Sequence, residues 1–200
     1  MELIHAVILG IVQGLTEFLP VSSSGHLVIF QHLFGLKESE LFFDVSVHMG
    51  TLAAVIIFFW KEIRSIIISL LRFSESLIKR EIPFSHIHDD ADVKLALMII
   101  IGSVPTAIIG LLLKKASDQI FSSVPIAGAM MIITGLFLWV TRWFKKEGSK
   151  KFSIKEALLI GIVQGLAVMP GISRSGSTIA AGIFLGLNRE VAARYSFLLS

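Results

Sequence analysis

Apolar residues run from position 3 to 19, interrupted by the polar side chains of His5, Gln13, Thr16 and Glu17. Such a run makes about five helical turns. Pro20 and the turn Ser22-Ser23-Ser24-Gly25 stop it. Residues 27–35 form a second apolar run of about two and a half turns, too short to cross a bilayer. The pair predicts a re-entrant hairpin, and irregular backbone at that depth requires burial in protein or a wet cavity. Residues 41–60 predict a full span, with Asp44 and His48 near its start and Trp60-Lys61 as an interfacial end. Charged residues Lys61, Glu62, Arg64, Arg72, Glu75, Lys79 and Arg80 alternate with apolar ones through 61–92. That pattern predicts an interfacial amphipathic segment and a loop. Residues 95–113 predict the next span, kinked at Pro105 and closed by Lys114 and Lys115. Residues 123–143 predict another, ending in Trp139, Arg142 and Trp143, before a basic loop with Lys145, Lys146, Lys150, Lys151 and Lys155. Residues 156–169 and 177–187 repeat the hairpin pattern around Pro170–Gly176, and Ala192 to Leu199 opens a further run.

The two hairpins share sequence as well as pattern. Gly10-Ile11-Val12-Gln13-Gly14-Leu15 recurs as Gly161-Ile162-Val163-Gln164-Gly165-Leu166, an offset of 151 residues. At the same offset Ser22, Ser24 and Gly25 match Ser173, Ser175 and Gly176, while the proline slips from Pro20 to Pro170. The copies differ in their reactive groups. Glu17 and His26 belong to the first, where the second has Val168 and Ser177; Arg174 belongs to the second, where the first has Ser23.

Composition moves the chain out of water. Of 200 residues, 54% are hydrophobic and 16% charged, against roughly 25% charged in typical soluble domains. The mean hydropathy is +0.81. A soluble fold of this length cannot hide that much apolar surface, so the bilayer is the expected solvent. There is no cysteine, which excludes disulfides and thiol chemistry. The net charge of +3 is modest and its carriers cluster in loops, so they read as topology signals, and nucleic acid is not an expected partner. The N-terminus lacks the basic region and small-residue cleavage site of a removable signal peptide.

The expected architecture is a single all-α polytopic transmembrane domain over 1–200, with repeat 1 at about 1–113 and repeat 2 from about 120 onward. The run at 191–200 begins without finishing, so the chain is expected to be the N-terminal portion of a longer one. Basic loops at 61–92 and 144–155 are separated by two spans and hold most of the Lys and Arg, which puts them on the cytoplasmic side. The loops at 36–40 and 114–122 are then outside. Hairpin one enters from outside and hairpin two from the cytoplasm, an inverted-topology repeat whose site lies where the two meet near the midplane.

Each serine-rich turn opens a short helix, whose free N–H groups and dipole favour an anion. Arg174 near the bilayer centre is costly, and its planar fork suits phosphate. A mutual neutralisation of Arg174 and Glu17 is the plainer explanation of that arginine. Glu17 lies one turn after Gln13; together they offer oxygen ligands for a divalent cation, Mg²⁺ or Ca²⁺, and Glu17 could instead orient a histidine or serve as a counter-ion. His26 at the start of the exit helix suits proton transfer, against the alternative of a hydrogen-bonded packing residue. Ser22, Ser23 and Ser24 supply a helix cap and a possible nucleophile, with capping the safer role for at least one. His86, His88, Asp89, Asp90 and Asp92 have metal-like spacing but read as a solvated loop. Asp44 and His48 share a helix face near the outer surface and read as groups that hydrate a cavity, without a catalytic role.

At these residues the chain resembles the bacterial undecaprenyl-pyrophosphate phosphatase, or bacitracin-resistance protein, family. The resemblance covers all 200 residues and rests on Gln13-Gly14-Leu15-Thr16-Glu17-Phe18-Leu19-Pro20-Val21-Ser22-Ser23-Ser24-Gly25-His26 and on Pro170-Gly171-Ile172-Ser173-Arg174-Ser175-Gly176-Ser177-Thr178. Glutamate is frequent in the family where this chain has Gln13, which weakens a two-carboxylate metal site. The resemblance implies hydrolysis of undecaprenyl diphosphate to the monophosphate in the bacterial cell membrane, recycling the carrier for peptidoglycan and other wall polymers. It also implies bacitracin resistance, a divalent cation held by Glu17 and Gln13, an active site facing outward, and homodimers. Carried over by position, Glu17, Ser23, His26 and Arg174 are catalytic, with Ser23 and His26 the candidate nucleophiles beside water. Ser22, Ser24, Gly25, Ser173, Ser175, Gly176 and Thr178 would bind substrate. Inverted hairpins also suit a secondary transporter or flippase of a polyisoprenyl-phosphate lipid; such a protein needs no nucleophile–base pair. A non-catalytic scaffold gives no reason for Arg174.

Overall fold

The computed structural model describes residues 2–36, 41–79, 90–120, 123–144 and 152–199. Among them the chain is all helical: α1 (Leu3–Phe18), α2 (Ser23–Leu33), α3 (Leu41–Phe58), α4 (Trp60–Ile78), α5 (Ala91–Ile120), α6 (Val124–Val140), α7 (Ile154–Leu166), α8 (Arg174–Phe184) and α9 (Arg189–Leu199). A single 3-10 turn, Thr141–Trp143, extends α6.

Two segments, Ala91–Leu113 and Val124–Trp143, are long and apolar enough to cross a membrane. Phe42–Phe58 and Trp60–Ile78 pass only as a pair, bent by 72° at the break between them, and make a third where the pair is counted as one span. The expected single span at 41–60 therefore ends two residues early. Phe59 at φ −93°, ψ 18° redirects the chain into α4, whose charged residues lie along an otherwise apolar helix. Large apolar side chains such as Leu3, Val7, Phe42, Leu111, Leu112 and Ile132 point outward. Exposure on this scale fits a lipid surface, and the chain is a membrane protein with apolar spanning helices.

Capping residues moved several expected boundaries. Asp90 Oδ1 accepts from the backbone N–H of Asp92 at 2.8 Å and of Val93 at 3.1 Å, so α5 starts four residues before the expected 95. Asp92 accepts from Ser65 Oγ of α4. These two aspartates are a helix start rather than parts of a solvated loop; His86, His88 and Asp89 lie outside the described residues. The helix also runs on to Ile120, through the expected loop at 114–122, because polarity ends a span without ending a helix. It continues through Pro105 uninterrupted. Ser153 and Glu156 form a capping box that starts α7 two residues early. The basic loop's Lys145, Lys146, Lys150 and Lys151 lie outside the described residues.

The core sits around the second hairpin. Met98 of α5, Ala157 and Ile160 of α7, Ala181 of α8, and Ala192, Tyr195 and Leu199 of α9 cluster in it, with Leu187 between α8 and α9. Helices α5 and α7 meet through small residues. A Cβ on Gly161 would overlap the Gly102 carbonyl oxygen, and one on Gly165 would lie 2.7 Å from Ile109 Cβ. Small residues four apart let helix backbones touch in lipid. Thr106 uses the closeness: its Oγ1 lies 2.9 Å from the Gly102 carbonyl and 2.8 Å from that of Gly161. Tyr195 donates to the Met98 carbonyl at 2.7 Å and locks α9 to α5. The first hairpin is more open, and only Leu9 and Gln13 of α1 are buried.

Candidate functional site

Both serine turns have the same internal wiring. Ser22 Oγ accepts from the Gly25 N–H at 3.2 Å, and Ser173 Oγ from the Gly176 N–H at 3.1 Å. Each cap oxygen also lies 3.4 Å from the serine two residues on, Ser24 and Ser175. The short helices start at Ser23 and Arg174, earlier than the apolar runs suggest, because the caps stand at Ser22 and Ser173. Their far ends match too. Leu36 N–H bonds to Gln31 C=O and Leu187 N–H to Gly182 C=O, both at 3.0 Å, around Gly35 at φ 71° and Gly186 at φ 88°. These are Schellman ends with glycine in the left-handed position. The turns differ at the cap: Ser22 has φ 67° and Ser173 φ −73°. Among the described residues Ser22 is the one non-glycine at positive φ, a conformation costing about 1–2 kcal/mol.

The turns touch each other, and the contact is reciprocal. A Cβ on Gly25 would lie 3.0 Å from Gly171 Cα; one on Gly176 would lie 3.0 Å from the Pro20 carbonyl oxygen. The 151-residue offset carries Gly25 to Gly176 and Pro20 to Gly171. The two contacts thus involve residues matched by the repeat. Glycine at 25 and 176 lets the loops approach within van der Waals distance.

Contact between the turns brings Glu17 of the first copy to Arg174 of the second. Glu17 Oε2 accepts from Gln13 Nε2 at 2.8 Å and from Ser23 Oγ. Its Oε1 lies 3.6 Å from Arg174 Nη2, an ion pair linking the copies. His48 Nε2 lies 4.0 Å from Oε2. The Glu17 side chain is 22% exposed and that of Arg174 39%, so the pair is accessible. Gln13 is fully buried, and its Oε1 has no hydrogen-bond partner.

His26 sits in the first turn of α2, half-buried, with Nδ1 2.8 Å from the Ser22 carbonyl. A carbonyl only accepts, so Nδ1 carries the proton and the neutral ring keeps its lone pair on Nε2. The imidazole is thus oriented by its own turn, and Ser23 is held by Glu17 instead. Ser22 and Ser173 are buried caps. Thr178 is buried as well. Its Oγ1 donates to the Arg174 carbonyl at 2.8 Å and pairs with Ser196 Oγ of α9. In this arrangement Thr178 braces the turn from behind.

Two further residues reach the site from other helices, and Thr134 is the one the sequence did not point to. His48, set down as a hydrating group, reaches Glu17; its spacing of four from Asp44 was the available signal. Gln31 donates to Asp44 at 2.7 Å, which fixes α3 to α2. Thr134 of α6, buried, takes the Ser173 N–H at 3.2 Å on its Oγ1, which also lies 3.4 Å from the Gly171 carbonyl. It pins the turn one residue before Arg174, and no local pattern flags a threonine in an apolar span. Thr134→Val leaves that buried N–H unpaired, at a cost of about 1–3 kcal/mol. We expect a lower unfolding temperature and roughly tenfold slower turnover, about the effect of a 1.4 kcal/mol loss, with Thr134→Ser close to the parent in both.

Fold and site define a class: an all-helical membrane protein in which two serine-capped turns bring a glutamate and an arginine within 3.6 Å. The chain belongs to the family described as bacitracin resistance protein BacA, whose pattern matches residues 6–200. It is 54% identical over 202 residues to an undecaprenyl-diphosphatase of Desulforapulum autotrophicum, covering all of this chain and 73% of that protein. An undecaprenyl-diphosphatase of Desulfosudis oleivorans is 57% identical with the same coverage, and one of Methanosphaera stadtmanae 47%.

Proposed function

We propose that this chain is a membrane phosphatase that hydrolyses undecaprenyl diphosphate to undecaprenyl phosphate and phosphate. The carrying observation is the Glu17–Arg174 pair, 3.6 Å apart, between two mutually packed serine turns. Its relatives' names as undecaprenyl-diphosphatases agree with it. Arg174 and the helix N-termini at Ser23 and Arg174 receive the diphosphate, with the serines and glycines of both turns around it. Phosphoryl transfer asks chiefly for positioning and charge stabilisation. His26 Nε2 takes a proton from the attacking water. The hydroxyl oxygen bonds to the terminal phosphorus, and the bond from that phosphorus to the bridging oxygen breaks. The bridging oxygen leaves with the lipid phosphate, its charge met by Arg174. Glu17 fixes the Ser23 hydroxyl beside the attacking group.

A divalent cation fits this donor set. Glu17 supplies a carboxylate and Gln13 an amide oxygen without a partner. Among the described residues no three His, Cys, Asp or Glu side chains gather as a ready-made cage. Oxygens of the diphosphate would complete the coordination of Mg²⁺ or Ca²⁺. When bound, the ion neutralises phosphate charge.

The reciprocal turn contact and the loop-charge parity support an inverted repeat with the cleft near the midplane, opening outward. The setting is the plasma membrane, where the product re-enters peptidoglycan synthesis and depletion of the diphosphate blunts bacitracin; pairing of chains as homodimers belongs to the same reading. The transporter or flippase reading shares the repeat but gives Ser23 and His26 no work. His26→Gln is expected to slow phosphate release in detergent by roughly a hundredfold without altering thermal unfolding. Unchanged turnover in that variant, with only lipid translocation in vesicles lost, would favour the transporter.

A further inference from the structure

His48 is the one titratable group at Glu17 that the proposed chemistry leaves unused. Its Nδ1 lies 2.7 Å from the Asp44 carbonyl, so Nδ1 carries the proton and the neutral ring directs its lone pair from Nε2. Nε2 is 4.0 Å from Glu17 Oε2. Two acceptors then face each other across a gap too wide for a hydrogen bond. Arg174 lies 3.6 Å from the other carboxylate oxygen, Oε1, while Oε2 also accepts from Gln13 and Ser23. Two donors, each about 2.1 Å from one ion, stand at most about 4.2 Å apart. The observed spacing therefore lets a single cation touch both.

Two further observations point the same way. A metal-binding imidazole usually donates its other N–H to a carbonyl or carboxylate, which holds the ring in place; Asp44 provides that carbonyl. The buried Gln13 Oε1 is unpartnered, and it belongs to the amide whose Nε2 already touches Glu17 Oε2. A half-turn of that amide exchanges the two atoms, giving an oxygen to the ion in place of a competing donor. His26 has the same N–H anchor, on the Ser22 carbonyl.

We infer that His48 is a third ligand, with Glu17 and Gln13, of the cation site, and that its imidazole biases the site towards first-row transition metals over Mg²⁺ and Ca²⁺. The inference rests on the cation reading above. Carboxylate and amide oxygens alone suit Mg²⁺, Ca²⁺ and Mn²⁺, whereas an added imidazole favours transition metals increasingly along the series that starts at Mn²⁺. Mn²⁺, its weakest member, serves as the paramagnetic probe.

The test is binding of Mn²⁺ to the chain in nanodiscs, with and without inorganic pyrophosphate, followed by pulsed electron paramagnetic resonance. The expected result is a bound Mn²⁺ with hyperfine coupling to ¹⁴N, lost in His48→Gln and kept in His26→Gln. His48→Gln should also weaken Mn²⁺ binding about tenfold while leaving Ca²⁺ binding near the parent value. A bound Mn²⁺ without nitrogen coupling, or with coupling that survives His48→Gln, overturns the assignment of His48 and leaves the cation reading standing. No Mn²⁺, Mg²⁺ or Ca²⁺ bound in either condition overturns both.

Discussion

Arg174→Ala lowers kcat/KM for phosphate release from undecaprenyl diphosphate by about a thousandfold, the scale set by arginines that meet charge in phosphoryl transfer. The loss should be chemical rather than structural. The side chain is 39% exposed, so truncation opens no core cavity, and Glu17 keeps Gln13 and Ser23 on its other oxygen. Arg174→Lys keeps the charge but loses the planar fork, and we expect a deficit of roughly tenfold to a hundredfold. The rival explanation is that Arg174 only neutralises Glu17. On that account, removing both charges in Glu17→Gln/Arg174→Ala relieves the defect of the single arginine variant. If Arg174 serves the diphosphate, the double variant is no faster than Arg174→Ala. Phosphate release and thermal unfolding, measured on all four proteins in one detergent, separate the two. An alanine variant within about tenfold of the parent removes Arg174 from the transition state.

What the sequence could and could not disclose follows from which interactions are local. The helix positions, the serine turns and the 151-residue repeat are written in runs of neighbouring residues, and the helices stand where those runs stand. Glu17 and Arg174, unlike members of the two copies, were expected in one cleft, and they are 3.6 Å apart. Boundaries shifted wherever a capping side chain outranked hydropathy, as at Ser22, Asp90 and Ser153. The bend at Phe59 was not legible because it is a backbone choice with no proline or glycine to mark it. Thr134 was not singled out, and His48 was read only as a hydrating group, for another reason. Each reaches the site from a different helix, across sequence separations of 39 residues to Ser173 and 31 to Glu17. A threonine or histidine in an apolar span looks alike whether it braces a turn or faces lipid. The greater burial of the second hairpin was equally hidden, since both copies have the same apolar pattern and burial depends on which helices enclose them.

The packing of the turns carries the second large prediction, for Gly171→Ala. Gly171 has φ 86°, and a Cβ there would overlap the carbonyl oxygen of Ala127 in α6. The obstacle is backbone, so it cannot swing aside like a flexible side chain. We expect roughly 3 kcal/mol of destabilisation from left-handed strain and overpacking together. Relief of the overlap has to move the turn, and Ser173 and Arg174 follow within three residues. Turnover should therefore fall below about 1% of the parent even in the fraction that folds, as a misplaced positioning group loses about a hundredfold. Two controls separate the causes. Gly35→Ala meets the same backbone penalty, at φ 71°, with nothing within 4 Å of its Cβ; it should cost about 1 kcal/mol and leave turnover near normal. Gly128→Ala, also open, lies in α6 one residue from the contact and should be neutral or slightly stabilising. Unfolding temperature and phosphate release on the three variants give the answer. If Gly171→Ala matches Gly35→Ala in both, close contact of the turn with α6 is not what holds Arg174 against Glu17. If it alone loses stability and activity together, the cleft depends on glycine-permitted backbone contact, and the arginine works because the turn beneath it cannot move.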